Sequence, residues 1–172
     1  MIIDLRLFDD FPAHAVVLAS PGEFQPFDEL VLEVNNVVLT ASLQKTETEY
    51  FCQGTVEADV RIQCSRCAKD FAARWDQAID FVIRSQDDVP AEERDILDDE
   101  DYVYLQGKSD VADVTDIVHQ ALVLALPLKP LCSEDCKGLC PVCRENLNDR
   151  ACTCKTDHTD PRWDDLRDLL QN

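Results

Sequence analysis

Basic residues are scarce in this sequence. Sixteen Lys+Arg stand against 35 Asp+Glu, for a formal net charge of −19. Such a surface repels phosphate backbones, so a large non-specific nucleic-acid footprint is excluded. It attracts basic partners, although acidity also serves solubility alone. Glycine is scarce too, four in 172 residues with eight prolines, which excludes a low-complexity polymer. No window approaches the ~18 uninterrupted apolar residues of a membrane span, so no membrane partner is expected. The opening stretch, Met1 to Phe24, lacks a basic start before a long apolar run, and Asp4, Asp9 and Asp10 interrupt it. We therefore expect no signal peptide and a reducing compartment. The motif repertoire is empty where enzymes are usually legible. There is no P-loop, no G-x-S-x-G, no G-x-G-x-x-G, and no H-x-x-x-H among His14, His119 and His158. An enzyme acting on a small molecule is not expected.

What is present is a core-forming hydrophobic fraction, 45% of the chain, arranged with β rhythm. MIIDLRL reads as a short strand, with a second one possible before the breakers Pro21-Gly22 and Pro26. From Leu30 the alternation strengthens and predicts strands at about Leu30–Val34, Val37–Lys45, Tyr50–Gln63 and Asp70–Arg84. Asn35-Asn36 suits a tight turn between the first two. Nine acidic residues crowd between Asp87 and Asp101. They predict an extended, solvated loop, or a docking site for a basic partner. YVYLQ follows as a further strand. Val114, Ile117, Val118, Ala121, Leu122 and Ala125 share one helical face, with Asp113 or Thr115 as the cap and Pro127 as the stop. His119 falls between these apolar positions and reads as a surface or supporting residue. A last short helix is expected at DPRWDDLRDLL, with Asp160 as N-cap and Pro161 at its first position.

The cysteines carry the chemistry. Cys52 sits in a β pattern and reads as a small buried hydrophobe. The other eight form four close pairs: Cys64/Cys67, Cys132/Cys136, Cys140/Cys143 and Cys152/Cys154. A C-x-x-C turn aims two thiolates at one point, and a second pair completes a zinc tetrahedron. Reach argues for Cys140, Cys143, Cys152 and Cys154 as one site, because RENLNDRA is long enough to fold back between its pairs. Cys132 and Cys136 then need Cys64 and Cys67. The weak point is Cys152-x-Cys154, whose side chains diverge in a straight strand, so the backbone must turn there. CSRC by itself also fits a redox dithiol, but a redox C-x-x-C normally opens a helix, and here it lies at an apparent hairpin turn. We expect one or two structural zinc ions and no catalytic residue, since four thiolates leave no open coordination position.

CSRCAKDF, then ALPLKPLCSEDCKGLCPVCRENLNDRACTC, then DPRWDDL together resemble the YceD family over about Gln53 to Leu170. One departure is Arg144, where many relatives carry Gly. The resemblance implies a non-enzymatic ribosome-biogenesis factor of the bacterial cytoplasm or plastid stroma, supporting accumulation of large-subunit ribosomal RNA. It implies as partner either ribosomal RNA or a basic large-subunit ribosomal protein chaperoned by acidic surface; for the first, Arg61, Arg66, Lys69 and Arg74 cluster around the CSRC turn and read either as a local basic patch or as scattered solvated charges. A zinc-dependent enzyme is the outside alternative. The expected architecture is α+β. A mainly antiparallel sheet or open barrel with one packing helix fills residues 1–130, including the acidic loop at about 85–101. A cysteine-rich zinc-binding segment with a short helix fills 131–172.

Overall fold

Alternating apolar and polar side chains run almost without a break from Val31 to Ser85, and the chain answers with three long antiparallel strands. The computed structural model describes residues 1–20, 22–26, 28–85, 101–105 and 109–154. Within these the strands are β1 (Ile2–Asp4), β2 (Ala13–Leu18), β3 (Val31–Lys45), β4 (Glu49–Gln63), β5 (Asp70–Ser85), β6 (Tyr102–Leu105) and β7 (Val111–Asp113). One helix, α1 (Thr115–Ala125), follows them. Five strands form a sheet in the order β2-β3-β4-β5-β6, and β1 pairs with β7 in a separate two-stranded ribbon. The described residues are thus mostly sheet with one helix.

Period-two burial explains the layering. Leu39, Ala41 and Leu43 of β3, Val56, Val60 and Ile62 of β4, and Ile79, Phe81 and Ile83 of β5 all point inward. Ile117, Val118, Ala121 and Leu122 of α1 close over them, and α1 packs on β5 and β4. Each of the Val, Leu, Ile and Phe side chains among these contributes about 1.5–3 kcal/mol when fully buried. The helix begins where Asp113 accepts hydrogen bonds from the Thr115 N–H (3.0 Å) and hydroxyl (2.6 Å). Pro127, just beyond it, cannot continue the ladder.

Two expectations need correction. Asn35-Asn36 is not a turn, because β3 runs through it as one strand. The register against β4 shifts between Asn35 and Val38, and Asn36 takes φ 49°. Asn's tolerance of positive φ makes a β-bulge here, since both halves find the same neighbour, β4. MIIDLRL is a strand only to Asp4. The Asp4 carboxylate accepts from the Arg6 N–H at 3.1 Å and turns Leu5–Leu7 into a 3-10 helix. The five-stranded sheet is mainly antiparallel, as expected, with one parallel pair where β6 lies beside β5. A parallel neighbour needs a connection of a dozen or more residues, and the acidic stretch supplies that length. Residues 86–100 of that stretch, and the helix expected after Asp160, lie outside the described residues.

Cys52 is buried inside the sheet, and burial pushes its thiol up to about 12. At pH 8 its thiolate fraction is then far below that of an ordinary cysteine, which is the species that alkylates. In native protein Cys52 is expected to stay unmodified by iodoacetamide at pH 8 and to react only once the chain is unfolded. Mass mapping of the alkylated peptides checks this.

Candidate metal centre

Two knuckles of the same geometry organise the thiols. Cys64-Ser65-Arg66-Cys67 is the turn between β4 and β5. The Cys64 N–H donates to the Lys69 carbonyl at 2.9 Å, and the Ala68 N–H donates to the Cys64 carbonyl at 2.9 Å. Cys140-Pro141-Val142-Cys143 repeats this. The Cys140 N–H donates to the Glu145 carbonyl at 2.8 Å, and the Arg144 N–H to the Cys140 carbonyl at 2.9 Å. Each turn closes on a left-handed residue, Ala68 at φ 54° and Arg144 at φ 60°. A side chain there costs roughly 1–2 kcal/mol against glycine's freedom. Arg144 is therefore compatible with the turn but strains it. Arg144→Gly is expected to raise the stability of the metal-loaded chain by about 1 kcal/mol, read as a higher denaturant midpoint.

The chain after α1 is docked onto the first knuckle by backbone. Ser65 N–H donates to the Pro130 carbonyl at 2.9 Å, and Leu139 N–H to the Arg66 carbonyl at 3.1 Å. The Arg66 guanidinium returns hydrogen bonds to the carbonyls of Cys136 (3.0 Å) and Glu134 (3.3 Å). Gly138 lies at this seam with φ +74°, and a Cβ there would stand 3.0 Å from the Arg66 carbonyl oxygen. Cys64, Cys67 and Cys136 are buried in a small cluster beside Leu131 and Phe71, separate from the main core.

These contacts bring Cys64, Cys67, Cys132 and Cys136 together, and a second group gathers Cys140, Cys143, Cys152 and Cys154. In each, all four sulphurs lie within 4.8 Å of one another. The Sγ–Sγ distances are 3.8 Å for Cys64–Cys136 and 3.6 Å for Cys67–Cys132. A disulfide needs about 2.05 Å. A tetrahedron of 2.3 Å Zn–S bonds has edges of about 3.8 Å. Both groups can hold a metal ion, and the spacing of the first is compatible with zinc.

The electrostatics of each group point the same way. Burial works against ionising Cys64, but the N–H groups of Cys132, Cys67 and Arg66 outweigh it and bring its pKa down to about 6. The N–H groups of Cys143 and Val142 bring Cys140 to about 6. Their neighbours move the other way. The hydrogen bond to Cys67, then burial, pushes Cys132 up to about 12, and the hydrogen bond to Cys143, then burial, does the same for Cys154. Four thiols this close resist full ionisation by themselves, and a divalent cation at the centre reverses that balance.

The other sequence-marked residues have partners besides the sulphurs. His119 is half-buried on α1 and stacks on Phe24 with ring centroids 6.5 Å apart. The expected basic patch is largely neutralised. Arg74 pairs with Glu57 at 2.7 Å, and Arg61 lies 3.8 Å from Glu33 and 3.9 Å from Asp70. Arg66 serves the carbonyls of the docked segment. Sequence reasoning passed over Asn148, which sits in the stretch read as a spacer. Its side chain donates to Cys136 Sγ at 3.4 Å, and no spacing rule marks such a residue.

No solved structure matches this chain significantly. Proteins of Mycobacterium bovis and of two strains of Mycobacterium tuberculosis, each described as uncharacterized, are 30% identical to it over 119 residues. The alignment covers 68% of this chain and 54% of each relative, so the chain spans about half the length of the curated relatives it matches. Residues 52–170 match the family described as large ribosomal RNA subunit accumulation protein YceD. That stretch holds both cysteine groups and most of the long-stranded sheet, and over it the chain belongs to the YceD family.

Proposed function

We propose that this protein is a non-enzymatic adaptor that supports accumulation of large-subunit ribosomal RNA by holding a basic ribosomal protein. In this reading zinc occupies both cysteine groups, and the metal-bound part of residues 131–172 is clamped onto a core formed by 1–130. Its role is shape, since a closed set of four thiolates offers no position to a substrate. The observation that carries the choice of partner is that three of the four patch cations are engaged, Arg61 and Arg74 with carboxylates and the exposed Arg66 with carbonyls of the docked segment, which leaves Lys69. With those charges committed, the balance of −19 favours a cationic protein over a phosphate backbone. Eight closely grouped thiols need a reducing compartment, such as bacterial cytoplasm or plastid stroma.

A tagged pull-down with and without nuclease tests this. A basic large-subunit ribosomal protein is expected to remain bound after nuclease digestion and to leave as salt rises. Capture that vanishes with nuclease, while ribosomal RNA is recovered from the untreated sample, would replace this reading with direct RNA contact.

A further inference from the structure

We infer that the two cysteine groups form a hierarchy, in which the Cys140 group loads first and Asn148 then secures metal at the Cys64 group as a positioning residue. The inference rests on the metal reading above and deepens it. Locality supplies the order. All four ligands of the second group lie within residues 140–154, so a short loop closes it. The first group joins residues 64–67 to 132–136, which requires the sheet, α1 and the docked segment to be in place. Loop-closure entropy grows with the chain between the ends, so the short circuit closes more readily.

Asn148 supplies the link. It lies between Cys143 and Cys152, inside the loop that the second group closes. Its backbone N–H donates to Asn146 Oδ1 at 3.0 Å, and the Leu147 N–H donates to the Gly138 carbonyl at 2.9 Å. The Asn148 Oδ1 accepts the Lys137 N–H at 2.8 Å. A backbone N–H can only donate, so this contact sets which way the amide faces. Its Nδ2 then donates to Asn146 Oδ1 at 2.8 Å and to Cys136 Sγ at 3.4 Å. An N–H donor spreads the charge of a metal-bound thiolate and holds it in place. Losing such a supporting contact typically costs 10–100-fold in metal affinity. The coupling free energy is shared by the two sites, but the release rates need not be, because Cys140 draws its backbone donors from Val142 and Cys143, within its own knuckle.

The test is zinc release from the full-length, zinc-loaded chain to a chelating dye. Alkylation and mass mapping identify which thiols have lost their ion. Asn148→Asp keeps an oxygen for Lys137 but places a carboxylate against Cys136. It is expected to release zinc from the Cys64 group about 10–100-fold faster while the Cys140 group keeps the wild-type rate. Asn148→Ala must act in the same direction, which guards against an effect of the added charge alone. A double Cys152→Ser/Cys154→Ser variant is expected to speed release from the Cys64 group. Cys64→Ser/Cys67→Ser is expected to leave the Cys140 group at the wild-type rate. Wild-type release from both Asn148 variants, or equal mutual loosening in the two double variants, would overturn the hierarchy and leave the metal reading intact. A wild-type chain that takes up no zinc overturns both.

Discussion

Replacing Cys140 by alanine is expected, with zinc in both groups as proposed, to reduce bound zinc from two ions per chain to one or fewer, and to unravel the segment from Leu131 to Cys154 while the sheet stands. Structural zinc contributes about 10 kcal/mol or more of its binding energy to folding. The segment has little else to hold it, since between residues 137 and 154 only Gly138 and Cys140 are buried. Three thiolates and a water cannot match four, so the loop closed by Cys152 and Cys154 opens. The main core includes none of the eight paired cysteines, which is why the sheet survives. Limited proteolysis is expected to cut within 131–154 and to leave a resistant fragment containing β2 to β5. Cys140→His is expected to retain more zinc than Cys140→Ala, because imidazole also binds zinc. Cys52→Ala is expected to cost only ~1 kcal/mol through packing, with zinc unchanged. If Cys140→Ala kept both ions and its protease resistance but no longer supported ribosomal RNA accumulation, a reactive thiol would displace the structural reading.

The second large effect is expected at Gly54, where the sheet has no room for even a methyl group. Gly54 pairs with Ala41 of β3 and Ile79 of β5. A Cβ built on it would stand 2.1 Å from the Thr40 carbonyl oxygen and 2.8 Å from Ala41 Cα. Both atoms are backbone, so no rotamer change relieves the clash and β3 itself must move. Glycine within a strand commonly marks such a close approach of two backbones. Gly54→Ala is expected to destabilise the protein by about 3 kcal/mol, the upper part of the usual overpacking range. For a chain of this length that is a fall in Tm of about 10 °C. The zinc content of the folded protein is expected to stay at the wild-type value, which separates this core defect from loss of the metal segment. An unchanged Tm would mean that β3 and β4 approach less closely than the backbone here indicates.

Most of what could be read in advance was local. The alternation from Val31 to Ser85 marked the three long strands, and the i, i+3, i+4 face at Val114–Ala125 marked α1. Both follow from side-chain direction along a single element. The C-x-x-C spacings likewise reported turns that aim two thiols together, because a knuckle is built by its own few residues. At Asn35-Asn36 the local signal was right about conformation and silent about use. Positive φ serves a turn or a bulge equally, and only the partner strand decides between them.

By itself, then, the sequence determined the acidic balance, the strand and helix periods, and the pairing of thiols within each knuckle, since all of these are set by residues within a few positions of one another. Elimination among the four thiol pairs also put Cys132 and Cys136 with Cys64 and Cys67, but the tertiary structure alone decided the parallel return of β6, the partners of Arg61 and Arg74, the crowding at Gly54, the contacts that dock the Cys132 segment on the β4–β5 turn, and the reach of Asn148 to Cys136. Each of these depends on strand register or on the closure of a long loop. Those are settled by the packing of the whole core, and no local periodicity records them.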